Sequence, residues 1–150
     1  MRGGTDSLRY QNDTVVPTPW GDNPSGLITY TRYGYMLAVM NSNEPEVRPQ
    51  NLRWPPNDTD NIEDWGLVGK SSLSYAGPFS FNMSVPLTKY NGQILHGPVT
   101  TASVPTMMGT TQRRNFEVIE QDGVIYLSIS VITTQPGLNS ELWWKRIVKG

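Results

Sequence analysis

The sequence predicts an all-β fold, an eight-stranded antiparallel up-and-down barrel. Three observations lead there. Short runs rich in β-branched and aromatic residues recur along the chain, as strands prefer. Turn signals separate them about every ten residues, the spacing of sandwiches and barrels. Charged residues make up only 17%, against about 25% in an average soluble protein, while Gly (14) and Pro (12) are plentiful, a composition poor in long amphipathic helices. Eight strands suit a closed barrel, because closure removes exposed edges and encloses a cavity. The length fits one domain with one core, so residues 1–150 are read as a single barrel.

The strands are expected at 7–10, 27–31, 35–40, 74–83, 93–103, 111–119, 124–133 and 141–148. Tyr33-Gly34 reverses the chain between the second and third. The polar, proline-interrupted stretch 41–54 reads as a surface connection. A short helical segment is expected around 58–72, where Asp60 and Glu63 have the spacing of an N-cap and its N3 partner. Gly66 and Gly69 weaken that helix by about 1 kcal/mol each relative to Ala. It is either a mobile lid or a plug across one barrel end. Asn91-Gly92 and Asp122-Gly123 carry the sequence of two-residue hairpin turns, which need positive φ at both positions, and Pro136-Gly137 marks another reversal.

Composition excludes several functions. The 12 basic and 13 acidic residues give a net charge of −1 with no block of one sign, which argues against nucleic-acid and anionic-membrane surfaces. Without cysteine there are no disulfides, thiolate nucleophiles or Cys-ligated metals, and the lone histidine, His96, rules out multi-histidine metal sites. No phosphate loop, Gly-x-Ser-x-Gly turn or close acidic pair is present. No run approaches the ~20 apolar residues of a membrane span, so a cytoplasmic, cofactor-free and metal-free protein is expected, as a monomer or homodimer.

Period two assigns the inward side chains. Arg114 shares a strand face with Phe116 and Val118, and His96 shares one with Ile94, Pro98 and Thr100. Both would therefore point into the barrel. Arg114 is either an anchor for a ligand carboxylate or enolate, or a structural cation satisfied by carbonyls and tryptophan faces. His96 is either a proton-exchanging group or a core histidine bonded to a carbonyl. Tyr30 and Tyr75 are polar handles in aromatic surroundings. Met36, Ala38 and Met40 form one strand face that either adapts to a ligand or fills an ordinary core. Met107, in a loop between Pro105 and Gly109, is a candidate for the cavity entrance.

The segment Pro19-Trp20-Gly21-Asp22-Asn23-Pro24-Ser25-Gly26-Leu27-Ile28-Thr29-Tyr30-Thr31, followed by Gly34-Tyr35-Met36, resembles a lipocalin-like domain family of bacteria and fungi. The likeness continues through Tyr75-Ala76-Gly77-Pro78-Phe79, Ile94-Leu95-His96, Gln112-Arg113-Arg114-Asn115-Phe116-Glu117 and Leu142-Trp143-Trp144-Lys145-Arg146. The resemblance implies a calycin-type barrel. The family's opening Gly-Thr-Trp is Gly4-Thr5-Asp6 here, so the first strand is expected to be frayed or differently registered. Some fungal relatives assist cofactor-free cyclisation or isomerisation in natural-product pathways. The resemblance thus implies a pericyclase-like cyclase or isomerase acting on a small, largely apolar intermediate. His96, Arg114 and Tyr30 would be catalytic, and Tyr75, Met36, Ala38, Met40, Phe79, Phe116 and Met107 would bind substrate. The alternative is a non-catalytic carrier for a small hydrophobic ligand.

Overall fold

A computed structural model describes residues 5–11, 14–15, 17–131 and 138–147, with side chains described for 14–15, 17–131 and 139–147. Strands β1 (Thr5–Gln11), β2 (Thr14–Val15), β3 (Pro24–Tyr30) and β4 (Tyr35–Ser42) precede helix α1 (Ile62–Lys70). Then come β5 (Ser72–Phe81), β6 (Asn91–His96), β7 (Thr101–Ala102), one 3-10 turn (Pro105–Met107), β8 (Gln112–Gln121), β9 (Val124–Val131) and β10 (Leu138–Lys145). Hydrogen-bonded neighbours follow the order β2-β1-β10-β9-β8-β6-β5-β4-β3, and β7 pairs with β5 to the side. All of these pairings are antiparallel. The sheet curls until β1 meets β3, giving a nearly closed barrel.

Alternation explains the core. On β4 the side chains of Met36, Ala38, Met40 and Ser42 are buried while Tyr35 and Leu37 face out. Tyr75, Val99, Ile129, Leu142 and Trp144 join Met36, Ala38 and Met40 in one cluster. The eight expected strands correspond to β1, β3, β4, β5, β6, β8, β9 and β10, with β2 and β7 as two-residue additions. Far from being frayed, β1 pairs with β10 from Thr5↔Trp144 to Gln11↔Leu138.

Four local expectations are corrected. The strand expected over 93–103 stops at His96, because Gly97 (φ 137°) turns the chain away and β7 returns to pair with β5. Pro98 and Thr100 therefore do not share a strand face with His96. Asn91-Gly92 is the start of β6, not its preceding turn, and the Thr88 hydroxyl accepts from the Tyr90 and Asn91 amides to close the reversal upstream. A Cβ on Gly92 would lie 2.5 Å from the Leu87 side chain and 3.1 Å from the Phe116 ring, so this glycine serves close packing. The N-cap of α1 is Asn61, whose side chain accepts from the Glu63 amide, because Asp60 is committed to the Trp65 indole N–H at 3.0 Å. Asp122 (φ 52°) and Gly123 (φ 74°) do form the β8–β9 hairpin. The reversal expected at Pro136-Gly137 lies outside the described residues.

No residue of α1 is buried, and it leads into the first residues of β5. Its glycines face open space, whereas a Cβ on Gly77 would lie 2.8 Å from the Pro98 carbonyl oxygen and 3.2 Å from the Val99 Cα. Gly77→Ala is expected to push the 97–100 segment off β5 and cost about 2 kcal/mol, as overpacking typically does. Gly66→Ala should instead stabilise by up to about 1 kcal/mol. Urea denaturation midpoints of the two variants check this; equal midpoints would contradict it.

Candidate functional site

His96 ends β6 with its side chain in the barrel and is wholly shielded from solvent, at 0% exposure. A buried imidazole needs partners on both nitrogens. Tyr30, at the end of β3, places its hydroxyl 2.8 Å from Nε2, and Tyr75, in mid-β5, places its own 3.0 Å from Nδ1. Three strands thus hold one histidine between two phenols. Tyr30 also meets the Phe79 ring edge-on, with centroids 5.0 Å apart.

Burial sets the charge state. It lowers the His96 pKa to about 4, and the nearby Arg114 cation pushes the same way. Burial also raises Tyr30 and Tyr75 well above the usual phenol value, outweighing the opposing pull of Arg114. All three rings are therefore neutral at pH 7.

Counting protons then decides what the site offers. Two phenols and one neutral imidazole carry three protons between them and make two mutual hydrogen bonds, so one proton is left over. The Arg114 cation lies near Tyr75 and opposes the rise of its pKa, which favours Tyr75 as a donor. If Tyr75 donates to Nδ1, then Nε2–H donates to Tyr30, and the Tyr30 hydroxyl proton is spare. The opposite tautomer would strand the spare proton on Tyr75, which is only 5% exposed, at a cost of about 1–3 kcal/mol. The first arrangement is favoured because Tyr30 borders a cavity.

That cavity has a volume of about 810 Å³. Its wall includes Ile28 and Tyr30 from β3, Phe79 and Phe81 from β5, Phe116 and Val118 from β8, and Trp144 from β10. All three phenylalanines of the chain line it. The rings of Phe79, Phe81 and Phe116 succeed one another at centroid distances of 6.1 and 5.8 Å, a cross-strand aromatic run. Its rim is formed by Leu87–Lys89 and Lys145–Ile147. The indole Nε1 of Trp144 is buried without a hydrogen-bond partner among the described residues, a second donor in the cavity-lining residues.

The family model of the lipocalin-like domain matches residues 7–147. The chain belongs to this lipocalin-like family. No curated protein and no solved structure matches it. A lipocalin-like barrel with an apolar cavity suggests small-ligand binding. Among the described residues no helix is long and apolar enough to cross a membrane, and no group of three potential metal ligands occurs.

The lipocalin-like barrel distributes the candidate residues as follows. Tyr30, Phe79 and Phe116 line the cavity. His96 and Tyr75 stand behind Tyr30, so the histidine reaches the cavity only through that hydroxyl. Met36, Ala38 and Met40 sit in the packed core and are absent from the cavity wall. Met107 packs against that core from the 3-10 turn. Arg114 pairs in register with Ile94 and donates to the Arg113 carbonyl at 2.8 Å and to Gln112 Oε1 at 3.2 Å. Phe81, Ile28 and Leu127 were not foreseen as site residues. Phe81 and Ile28 lie two residues from Phe79 and Tyr30, so strand periodicity carried their signal.

His96 makes stability depend on pH. Its folded pKa of about 4 lies below the unfolded value of 6.5, so the unfolded chain binds more protons between those limits. The contribution is fully present above pH ~6.5 and falls as pH drops toward ~4, by about 1.4 kcal/mol per pKa unit. The urea midpoint should fall from pH 7 to pH 4.5 with a slope that His96→Gln reduces. An identical slope in that variant would contradict a buried neutral imidazole.

Proposed function

We propose that this lipocalin-like domain binds a small, largely apolar molecule carrying an acceptor oxygen, which takes the spare proton of Tyr30. The leftover hydroxyl at the cavity wall carries this reading. A volume of about 810 Å³ lies within the range of ordinary ligand sites, about 300–1,000 Å³. The aromatic wall supplies contact area, and one or two fixed donors supply orientation. The orphaned Trp144 indole supports the same conclusion, since an unpaired buried donor costs free energy that a ligand oxygen recovers.

A second reading is a cofactor-free cyclase or isomerase that acts on an apolar natural-product intermediate. The Tyr75–His96–Tyr30 series, with the Arg114 cation near Tyr75, favours it, because successive hydrogen bonds polarise one another and would draw electron density from a carbonyl bound at Tyr30. With His96 neutral down to about pH 4, the contribution would be a fixed donor and a shaped cavity rather than transfer of a proton from imidazolium.

Binding can be followed with 6-propionyl-2-dimethylaminonaphthalene, an apolar fluorescent ketone, beside N-phenyl-1-naphthylamine, which has no carbonyl. Both should bind. Tyr30→Phe should weaken the ketone about fivefold, the worth of one hydrogen bond, and leave the amine unchanged. Leu127→Trp, which fills the cavity, should weaken both. Absence of binding by either probe would contradict the proposal. Exchange of deuterium from D2O into the carbon beside the bound carbonyl, faster than in buffer, would favour the second reading.

A further inference from the structure

The charged residues of the cavity rim point to a narrower ligand class. Lys89, Lys145 and Arg146 are the charged residues on the cavity lining, and all three are cations. The chain as a whole carries slightly more acids than bases, 13 to 12, so this bias belongs to the rim and not to the composition. Lys89 comes from the loop before β6, whereas Lys145 and Arg146 come from the end of β10. Two elements far apart in sequence thus bring positive charge to one opening. Lys89 lies 4.6 Å from the centre of the Tyr90 ring, and none of the three makes an ion pair among the described residues.

From this rim and the neutral interior we propose that the cavity takes an apolar carboxylate, its apolar body inside the barrel and its anionic group outward among Lys89, Lys145 and Arg146. The proposal rests on the reading of the cavity as a ligand site and deepens it.

Charge logic fixes the orientation. A carboxylate drawn to the cavity floor would meet neutral tyrosine, histidine and tryptophan groups and would lose its water for too little return. Arg114, the cation beside Tyr30, Tyr75 and His96, already serves Gln112 and the Arg113 carbonyl. At the mouth the carboxylate keeps part of its hydration while low-dielectric walls focus the field of three uncompensated cations. An acceptor oxygen farther along the ligand would then reach Tyr30. Each exposed cation contributes modestly, and the three together should favour the anion over its neutral ester by about tenfold at low salt.

The test compares cis-parinaric acid with its methyl ester, which share one fluorophore and one shape. The wild-type protein should bind the acid about tenfold more tightly at low salt, and the preference should shrink as salt is raised. In Lys89→Gln/Lys145→Gln/Arg146→Gln the affinity for acid should fall to that for ester. Equal binding of acid and ester by the wild type would overturn the rim's role while leaving the cavity reading intact. A preference for acid that survives in the triple variant would place the anion elsewhere and overturn the proposal. Failure of both probes to bind would overturn this inference and the cavity reading together. Far-UV circular dichroism of the triple variant separates loss of the rim from loss of the fold.

Discussion

A histidine shut away from water must have both nitrogens satisfied, and in this barrel two tyrosine hydroxyls from different strands meet that demand. Tyr30 reaches Nε2 from β3, and Tyr75 reaches Nδ1 from β5. The pairing ties β3, β5 and β6 together through side chains, although β3 and β6 are separated by two strands in the sheet order. It also fixes the electrostatics of the interior. With the imidazole held neutral, Arg114 remains the charged group beside it and settles against Tyr75 and main-chain oxygen. The direction of the whole series, with its spare proton on Tyr30, follows from Tyr30, and not Tyr75, bordering the cavity.

The barrel divides its interior between packing and binding. Methionines of β4 and the ring of Tyr75 belong to the packed core. Residues of β3, β5, β6, β8, β9 and β10 line the cavity. Tyr30 packs against that core and lines the cavity, its ring against Phe79 and its hydroxyl bonded to His96, so the polar network adjoins both. A donor held by packed neighbours is pre-oriented, which is what a binding site needs from its few polar groups.

Much of this was legible in the residues. Strand periodicity gave eight strands at nearly their observed positions, placed Arg114 beside Phe116, and set His96 on an inward face. Asp122-Gly123 specified its hairpin because both residues adopt positive φ. Other features depend on contacts between distant segments. Asn91-Gly92 looked like a turn, but Gly92 is needed where Leu87 and Phe116 crowd the backbone. Asp60 has the chemistry of a cap, yet the Trp65 indole claims it and leaves the role to Asn61. The face of Met36, Ala38 and Met40 is inward as expected, and periodicity alone does not say whether an inward face meets packed core or cavity. Likewise His96 and Tyr30 are 66 residues apart, and only the closure of the sheet makes them neighbours.

Because His96 is the chain's only histidine, nitrogen NMR can read its state without ambiguity. Long-range 1H–15N correlation spectra of uniformly 15N-labelled protein report the protonation of each ring nitrogen across a pH series. A neutral ring with the proton on Nε2 and a bare Nδ1, unchanged from pH 8 down to about pH 5, is the predicted result, since the pKa is lowered to about 4. An imidazolium already formed at pH 6 would contradict the neutral interior, and a proton residing on Nδ1 would contradict the account because Tyr30 would then donate to Nε2 and have no spare proton to offer the cavity.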